Sequence, residues 1–213
     1  MTGFVNEDQL EGADKPQRIL LLKKWLDAGM DLGNHTYSPV SLSTTPVDAY
    51  IHDAICDETV TAPLLALYRK RERWFRCPYL ETGETLEVRD KFESWLRNRR
   101  YRVAPVTMEN SDWQFSGPYD AAVDRGDKRN AASMDELATI LRHAKLRVIS
   151  LDKAMRDPAY RIADTYVGPD GIEWLERWSK TLRRDLPWDS IPLVPQDIVA
   201  NDAKLETSVG DSH

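Results

Sequence analysis

Apolar positions near the start of the chain change from strand-like to helix-like spacing and back. Residues 2–6 form a short apolar segment, which predicts a strand. After Pro16 the apolar residues recur at helical spacing until Gly29 acts as a stop signal, which predicts a helix through residues 20–27. Residues 30–34 are again short and strand-like. The pattern therefore predicts a strand, a helix and a second strand in succession.

A second helix is predicted further along the chain. Thr45 precedes Pro46, and Asp48 lies in the first turn, which is typical of a helix N-terminus. We expect this helix to break near Pro63, because proline disrupts a helix interior. Its apolar positions are Ile51, Ile55, Leu64, Leu65 and Tyr68.

The alternation continues through the middle of the chain. The pattern predicts a buried strand at residues 74–76, a helix at 86–96 and a strand at 101–107. Ser133 opens a capping-box pattern before another helix, and residues 146–149 read as the strand that follows it. Strands that alternate with helices predict an α/β fold with a parallel sheet, either open or closed into a barrel, and functional loops at the carboxyl ends of its strands.

Composition is that of an ordinary globular domain. The chain has 213 residues, of which 41% are hydrophobic and 30% are charged. We expect one domain over residues 1–186 and a polar, poorly ordered C-terminal tail over 187–213, where prolines punctuate the chain and apolar periodicity ends.

Charge and hydropathy exclude several classes of function. The net charge is −6, with basic residues scattered among acids, so we expect no nucleic-acid partner. No apolar stretch approaches the roughly 20 residues needed to span a bilayer, so we expect no transmembrane segment. The first residues lack the features of a signal peptide, which makes a cytoplasmic location the default expectation. The oligomeric state is left open.

Polar side chains follow three of the predicted strands. His35 follows the second, Arg76 and Tyr79 follow the third, and Asp112 and Trp113 follow a later one. An acid beside an indole suits a sugar, which can stack on the aromatic face while the acid makes hydrogen bonds. The alternatives are a purely structural histidine and an arginine paired with a helix carboxylate. These strand ends are the candidate site.

Several of these segments resemble motifs of the polysaccharide deacetylase family, which shares the NodB-homology domain. Residues 33–38, Gly-Asn-His-Thr-Tyr-Ser, resemble its metal-binding segment, and residues 76–79, Arg-Cys-Pro-Tyr, resemble its third motif. Residues 110–113, Asn-Ser-Asp-Trp, resemble its fourth motif, and a stretch from residue 148 to Trp174 is similar to one bacterial branch. The resemblance covers roughly residues 3–178.

The resemblance implies a distorted (β/α) barrel of parallel strands that hydrolyses acetamide groups on N-acetylated carbohydrate. The family uses a divalent metal, usually zinc, held by one Asp and two His. By resemblance, His35 binds the metal, Arg76 orients the catalytic base, and the Tyr79 backbone N–H helps to bind the oxyanion. Asp112 tunes the acid, and Trp113 lines the acetyl pocket.

The sequence departs from the family at three points. The second histidine of the metal-binding segment falls on Pro39, which cannot bind a metal. The motif that carries the Asp ligand and the Asp base has no counterpart, so an N-terminally incomplete barrel is expected. The general-acid histidine also has none, since His143 aligns with a helix. One histidine alone does not hold zinc usefully, and an acid or base contributes about 10²- to 10⁴-fold, so we expect impaired hydrolysis.

Three hypotheses remain open. The first is a metal-dependent hydrolase of carbohydrate acetamides. The second is a non-catalytic relative in which Trp113, Tyr79 and Asp112 hold a sugar without cleaving it. The third is a degenerate fragment that lacks its first strand and leaves an exposed sheet edge.

Overall fold

The structure is a computed structural model that describes the N-terminal half of the chain and several shorter stretches, namely residues 1–106, 121, 123–126, 150–157 and 167. The chain divides into two compact units, each made of two segments: 1–107 with 149–178, and 108–148 with 179–213. The elements described below belong to the first unit. The expected division into residues 1–186 and 187–213 stays a prediction. Within the described stretches, no helix has the length and hydropathy of a membrane span.

The described strands form one parallel sheet in chain order. They are β1 (Thr2–Val5), β2 (Asp31–Asn34), β3 (Trp74–Phe75) and β4 (Arg102–Val103). The register pairs Val5 with Asn34, Asn34 with Phe75, and Phe75 with Val103, so all four strands end in one row. The predicted parallel α/β sheet is confirmed over these residues, and its closure into a barrel stays a prediction.

The described helices include those that the spacing of apolar residues predicts at 20–27 and 86–96. The helices are α1 (Lys15–Asp27), α2 (Val47–Cys56), α3 (Thr61–Leu67), α4 (Leu86–Asn98) and a short α5 (Leu151–Ala154). The predicted strand at 101–107 is paired over only two residues. The helix predicted after Ser133 and the strand predicted at 146–149 lie outside the described residues.

The predicted helix from Thr45 to Tyr68 does break, but the position of the break and the capping of its N-terminus differ from the prediction. The chain leaves the helix after Cys56, well before Pro63, which lies in the first turn of α3, where a missing N–H removes no helical hydrogen bond. Pro46 occupies the N-cap of α2, and no side chain caps that end. Because the hydrophobic pattern continues across the break, the sequence does not reveal where the first helix ends.

The side chain of Glu7 replaces a local cap at the start of α3. Its carboxylate accepts hydrogen bonds from the backbone N–H groups of Val60 at 2.8 Å and Thr61 at 2.6 Å, and from the Thr61 hydroxyl at 2.8 Å. Glu7 is 1% exposed, and burial raises the pKa of its carboxyl although these donors oppose the shift. A residue next to β1 thus stabilises the N-terminus of a helix more than 50 positions away.

Two hydrophobic clusters pack against the sheet. In the first, Phe75 lies edge-on to Tyr50, Phe92 and Tyr101, with ring centroids 5.1–6.4 Å apart. The second is aliphatic and contains Leu26, Leu32, Leu64 and Leu65. The first cluster contacts the sheet through Phe75 in β3 and Val103 in β4, and the second through Leu32 in β2 and Val5 in β1. The two clusters so fix the strands whose ends carry the candidate site.

Gly33 in β2 is expected not to tolerate a methyl group. A Cβ atom there would lie 2.7 Å from Cε1 of Phe4 and 2.9 Å from the Trp74 carbonyl oxygen, which belongs to the neighbouring strand and cannot rotate away. We expect Gly33→Ala to lower the free energy of unfolding by about 1–3 kcal/mol, as overpacking does. Urea denaturation measures this. Gly3→Ala in β1 is the matched control, because its Cβ would meet its nearest atoms at an ordinary 3.5 Å. Equal costs at both positions would contradict the packing argument.

Candidate functional site

The shared strand ends place three polar residues in one row. Asn6, His35 and Arg76 each follow the last residue of β1, β2 and β3. The Asn6 amide donates to the backbone carbonyls of His35 at 2.6 Å and Thr36 at 2.9 Å, which ties the first two strand ends together. The Arg76 backbone N–H donates to the Asn34 carbonyl at 3.0 Å and joins the third. The structure therefore brings the predicted residues His35 and Arg76 to the same edge.

His35 is held as a neutral imidazole with a defined tautomer. Its Nδ1 lies 2.7 Å from the backbone carbonyl oxygen of Arg76, and since a carbonyl only accepts, Nδ1 carries the proton. Burial is the main cause that lowers the pKa of His35, and the nearby Arg76 guanidinium also lowers it. The lone pair of a neutral imidazole is then on Nε2, and no described residue is hydrogen-bonded to that atom. Nε2 can accept a hydrogen bond or bind a metal.

The loop after β2 is fixed in an unusual backbone conformation. Thr36 is fully buried and adopts a left-handed φ of 66°, which β-branched residues rarely do. Asp53 on α2 compensates by accepting hydrogen bonds from the Ser38 backbone N–H at 3.0 Å and the Ser38 hydroxyl at 3.1 Å. The loop that carries His35 is therefore anchored to α2.

Asp57 is the second anchor of this loop. It lies at the C-cap of α2 and is 0% exposed. One carboxyl oxygen accepts from the Glu7 backbone N–H at 2.9 Å, and the other accepts from the His35 backbone N–H at 3.0 Å. Burial raises the pKa of Asp57 to about 9. Asp57 thus positions the two segments that leave β1 and β2.

The Arg76 side chain lies over an aromatic ring. The guanidinium carbon is 4.3 Å from the ring centroid of Phe4 in β1, within the range of a cation–π interaction. The Phe4 ring centroid is in turn 6.1 Å from that of His35. This packing places a positive charge beside the imidazole at the strand ends.

Tyr79 and Pro39 face each other across the site. The Tyr79 hydroxyl donates to the Pro39 carbonyl at 2.9 Å, although Tyr79 is 59% exposed. Tyr79 and Leu80 are consecutive residues with left-handed φ values of 55° and 56°. The hydrogen bond fixes an exposed aromatic ring next to the loop that carries His35.

The described donor set does not fit a catalytic zinc by itself. No group of three or more His, Cys, Asp or Glu side chains in the described stretches is placed to hold a metal ion. His35 supplies one imidazole, and Pro39 supplies no side-chain lone pair, whereas catalytic zinc takes three protein ligands. Asp112, Trp113 and His143 lie outside the described residues, so their predicted places stay predictions.

The residues that anchor the strand ends of the site, Asp57 and Asn6, are not among those predicted from the sequence. Asp57, the C-cap of α2, follows Tyr50 at i+7 and Ala54 at i+3 and so continues the buried face of this helix, whereas Ile55, predicted on the apolar face, is 39% exposed. An acidic residue in register with buried positions is a detectable signal, because an unpaired carboxyl is costly there. Asn6 gives no such signal, since its hydrogen bonds depend on the pairing of β1 with β2.

Comparison with known proteins gives a limited likeness. No family model matches the chain, and no curated protein sequence matches it. A solved structure that is similar to part of the chain is that of a mutant of BA3943, a CE4 family pseudoenzyme with restored enzymatic activity. The identity is 23% and the TM-score is 0.40, over 53% of this chain and 36% of that one.

The wild-type form of the same protein is also similar to part of the chain. BA3943 from Bacillus anthracis is described as a CE4 family pseudoenzyme, and the match has 20% identity and a TM-score of 0.34, over 48% of this chain and 31% of that one. CE4 is the polysaccharide deacetylase family. The chain therefore spans about a third of the length of these structural neighbours.

Proposed function

We propose that this chain is a polysaccharide deacetylase-like protein that binds N-acetylated carbohydrate at the carboxyl edge of its sheet and hydrolyses it poorly. The observation that carries the proposal is the fixed, neutral imidazole of His35, whose Nδ1 donates to the Arg76 carbonyl at 2.7 Å. The motif resemblance assigns this residue and this edge of the sheet to the family's substrate site. The proposal takes sugar binding from the second hypothesis and adds to it the impaired hydrolysis expected from the sequence.

The described groups suit a sugar. Nε2 of His35 can accept a hydrogen bond from a hydroxyl or from an acetamide N–H. The exposed ring of Tyr79, tethered by its hydroxyl to the Pro39 carbonyl, offers a rigid face on which a pyranose ring can stack. In this proposal Asp112 and Trp113 extend the same site, and Arg76 keeps the His35 ring in place.

Efficient hydrolysis needs groups that the sequence does not supply. When bound, a divalent ion such as zinc would activate water and polarise the acetamide carbonyl. In the family pattern, the Tyr79 backbone N–H would then help to bind the oxyanion. With Pro39 at the second ligand position and without the acid and base motifs, we expect acetate release to be reduced by at least about 10⁴-fold relative to a complete site.

Sugar binding is tested by thermal melting with N-acetylglucosamine oligomers, and glucosamine oligomers serve as the non-acetylated comparison. We expect the acetylated oligomers to raise the melting temperature by about 3 °C at ten times the dissociation constant. His35→Gln should abolish this shift, whereas the matched control His52→Gln, at an exposed position on α2, should keep it. Circular dichroism shows that both variants fold. The proposed site would be overturned if neither sugar raised the melting temperature, or if His35→Gln and His52→Gln lost the shift equally.

Catalytic competence is tested separately on the same protein. We expect elemental analysis to find far less than one zinc per chain, and acetate release from the oligomers to stay at background. Near-stoichiometric zinc with rapid acetate release would show a complete active site, in which case the impaired hydrolysis is wrong while the sugar site stands.

A further inference from the structure

A cavity lies at the end of the sheet opposite the candidate site. Its volume is about 420 Å³, and it is lined by the first residues of three strands: Thr2 of β1, Asp31 of β2 and Trp74 of β3. The segment between α3 and β3 and the start of α5 complete its wall. We call it the amino-edge cavity. Its volume falls within the range of small-molecule sites.

Positive charge dominates the lining. Four cationic side chains face two carboxylates, and they are Arg69, Lys70, Arg71 and Arg73 against Asp31 and Asp152. This segment lies within a chain whose net charge is −6, so its charge runs against that of the whole protein. The amino-edge cavity therefore attracts anions.

The two carboxylates are engaged by only two of the cations. Arg73 forms a two-pronged contact with Asp152 at 3.0 and 3.2 Å and also reaches Asp31 at 3.2 Å. Lys70 donates to the Met30 carbonyl and lies 3.8 Å from Asp31. Lys70 and Arg73 are therefore engaged in ion pairs within the wall of the cavity.

Arg69 and Arg71 have no carboxylate partner among the described residues. Both are exposed, so their guanidinium groups keep their hydrogen-bonding capacity at the cavity wall. The acid that follows Arg71 in sequence, Glu72, points into the core, where it accepts from the Tyr101 hydroxyl at 2.8 Å. Burial raises the pKa of Glu72 to about 8, so at neutral pH it does little to offset the two arginines.

Arg69 occupies a position that favours glycine. It lies just after α3 with a left-handed φ of 55°, where its own N–H donates to Ala66 O and the next N–H, of Lys70, donates to Leu65 O, each at 3.0 Å. This is the helix C-terminal motif in which glycine avoids the steric cost of a Cβ atom. The fold would thus accept glycine there, and the arginine is not needed for this turn.

We propose that the amino-edge cavity binds a small phosphorylated ligand through the guanidinium groups of Arg69 and Arg71. Guanidinium forks match phosphate oxygens in bidentate geometry, and two of them balance a doubly charged phosphate. The site is separate from the sugar site proposed above, because it lies at the other end of the strands.

Pyrophosphate is the probe for this site. Isothermal titration calorimetry at low salt should give a dissociation constant below about 1 mM. Arg69→Gly and Arg71→Gln should each weaken binding by about tenfold, the typical loss for one charged hydrogen bond. Arg97→Gln is the matched control, since Arg97 is an exposed arginine on α4 that contacts Glu93 and Ser94 away from the cavity.

The variants separate binding from folding. Arg69→Gly should melt at the same temperature as the parent or higher, because it relieves the left-handed strain, and should still lose affinity. No binding at about 5 mM pyrophosphate, where a site of the expected affinity is mostly filled, would overturn the proposal. So would an equal loss in Arg97→Gln, or citrate binding as tightly as pyrophosphate.

Discussion

Asp57→Leu is expected to lower the free energy of unfolding by about 3–5 kcal/mol, since it leaves two buried backbone donors without an acceptor. The donors are the N–H groups of Glu7 and His35, which lie 2.9 and 3.0 Å from the two carboxyl oxygens. Leucine has the same branched shape as aspartate, is larger, and offers neither oxygen. Urea denaturation monitored by tryptophan fluorescence measures the loss.

Two further variants identify the cause of that loss. Asp57→Asn keeps one acceptor oxygen and should cost about half as much as leucine, because its NH₂ group faces the second donor. Asp48→Leu removes an acid whose side chain is 80% exposed and whose ion pair with Lys91 lies at the surface, so it should cost less than about 1 kcal/mol. A loss below that value for Asp57→Leu would mean that Asp57 does not hold the His35 loop.

The protein is expected to lose stability as the pH rises from 6.5 to 9. Burial raises the pKa of Glu72 to about 8 and that of Asp57 to about 9, far above their values of 4.5 and 3.8 in an unfolded chain. Between those values the folded chain binds more protons than the unfolded chain does. Stability from these groups is therefore full below their unfolded pKa values and is lost as the pH rises through the folded ones.

The size of this effect can be measured by differential scanning calorimetry. A loss of a few kcal/mol corresponds to a fall in melting temperature of about 5–10 °C for a chain of this size. The lower limit of pH 6.5 avoids the opposite contribution of His35, whose lowered pKa costs stability in acid. Glu72→Gln keeps an acceptor for the Tyr101 hydroxyl and should flatten the slope up to pH 8. A melting temperature that rises from pH 6.5 to 9 would contradict the burial argument.

The sequence pattern predicts the helices and strands whose ends are set by residues close to them in sequence. β1, α1 and β2 follow from apolar spacing and the stop at Gly29, and α4 follows from its amphipathic face and the cap at Thr85, whose hydroxyl accepts from the Val88 N–H. The break between α2 and α3 does not, because it is stabilised by Glu7, which is remote in sequence. The spacing of apolar residues gives no information about that contact.

The residues of the candidate site also fall into those that local sequence predicts and those that depend on tertiary contacts. His35 and Arg76 could be predicted, since strand ends in a parallel sheet share one edge. Asp53 and Asp57 were not identified, because their partners are backbone groups of the loop after β2 and of the chain after β1. The chemistry of a strand end can be read from its own residues, whereas its support depends on the tertiary fold.

The Glu7 cap also leads us to expect a particular order of folding. A helix of seven residues such as α3 is not stable alone in water, because its few hydrogen bonds do not offset the unfavourable free energy of helix nucleation. The carboxylate that completes it arrives only after the first strand has docked, across a loop of more than 50 residues. We therefore expect α3 to form after the first strands have paired and to unfold when β1 detaches.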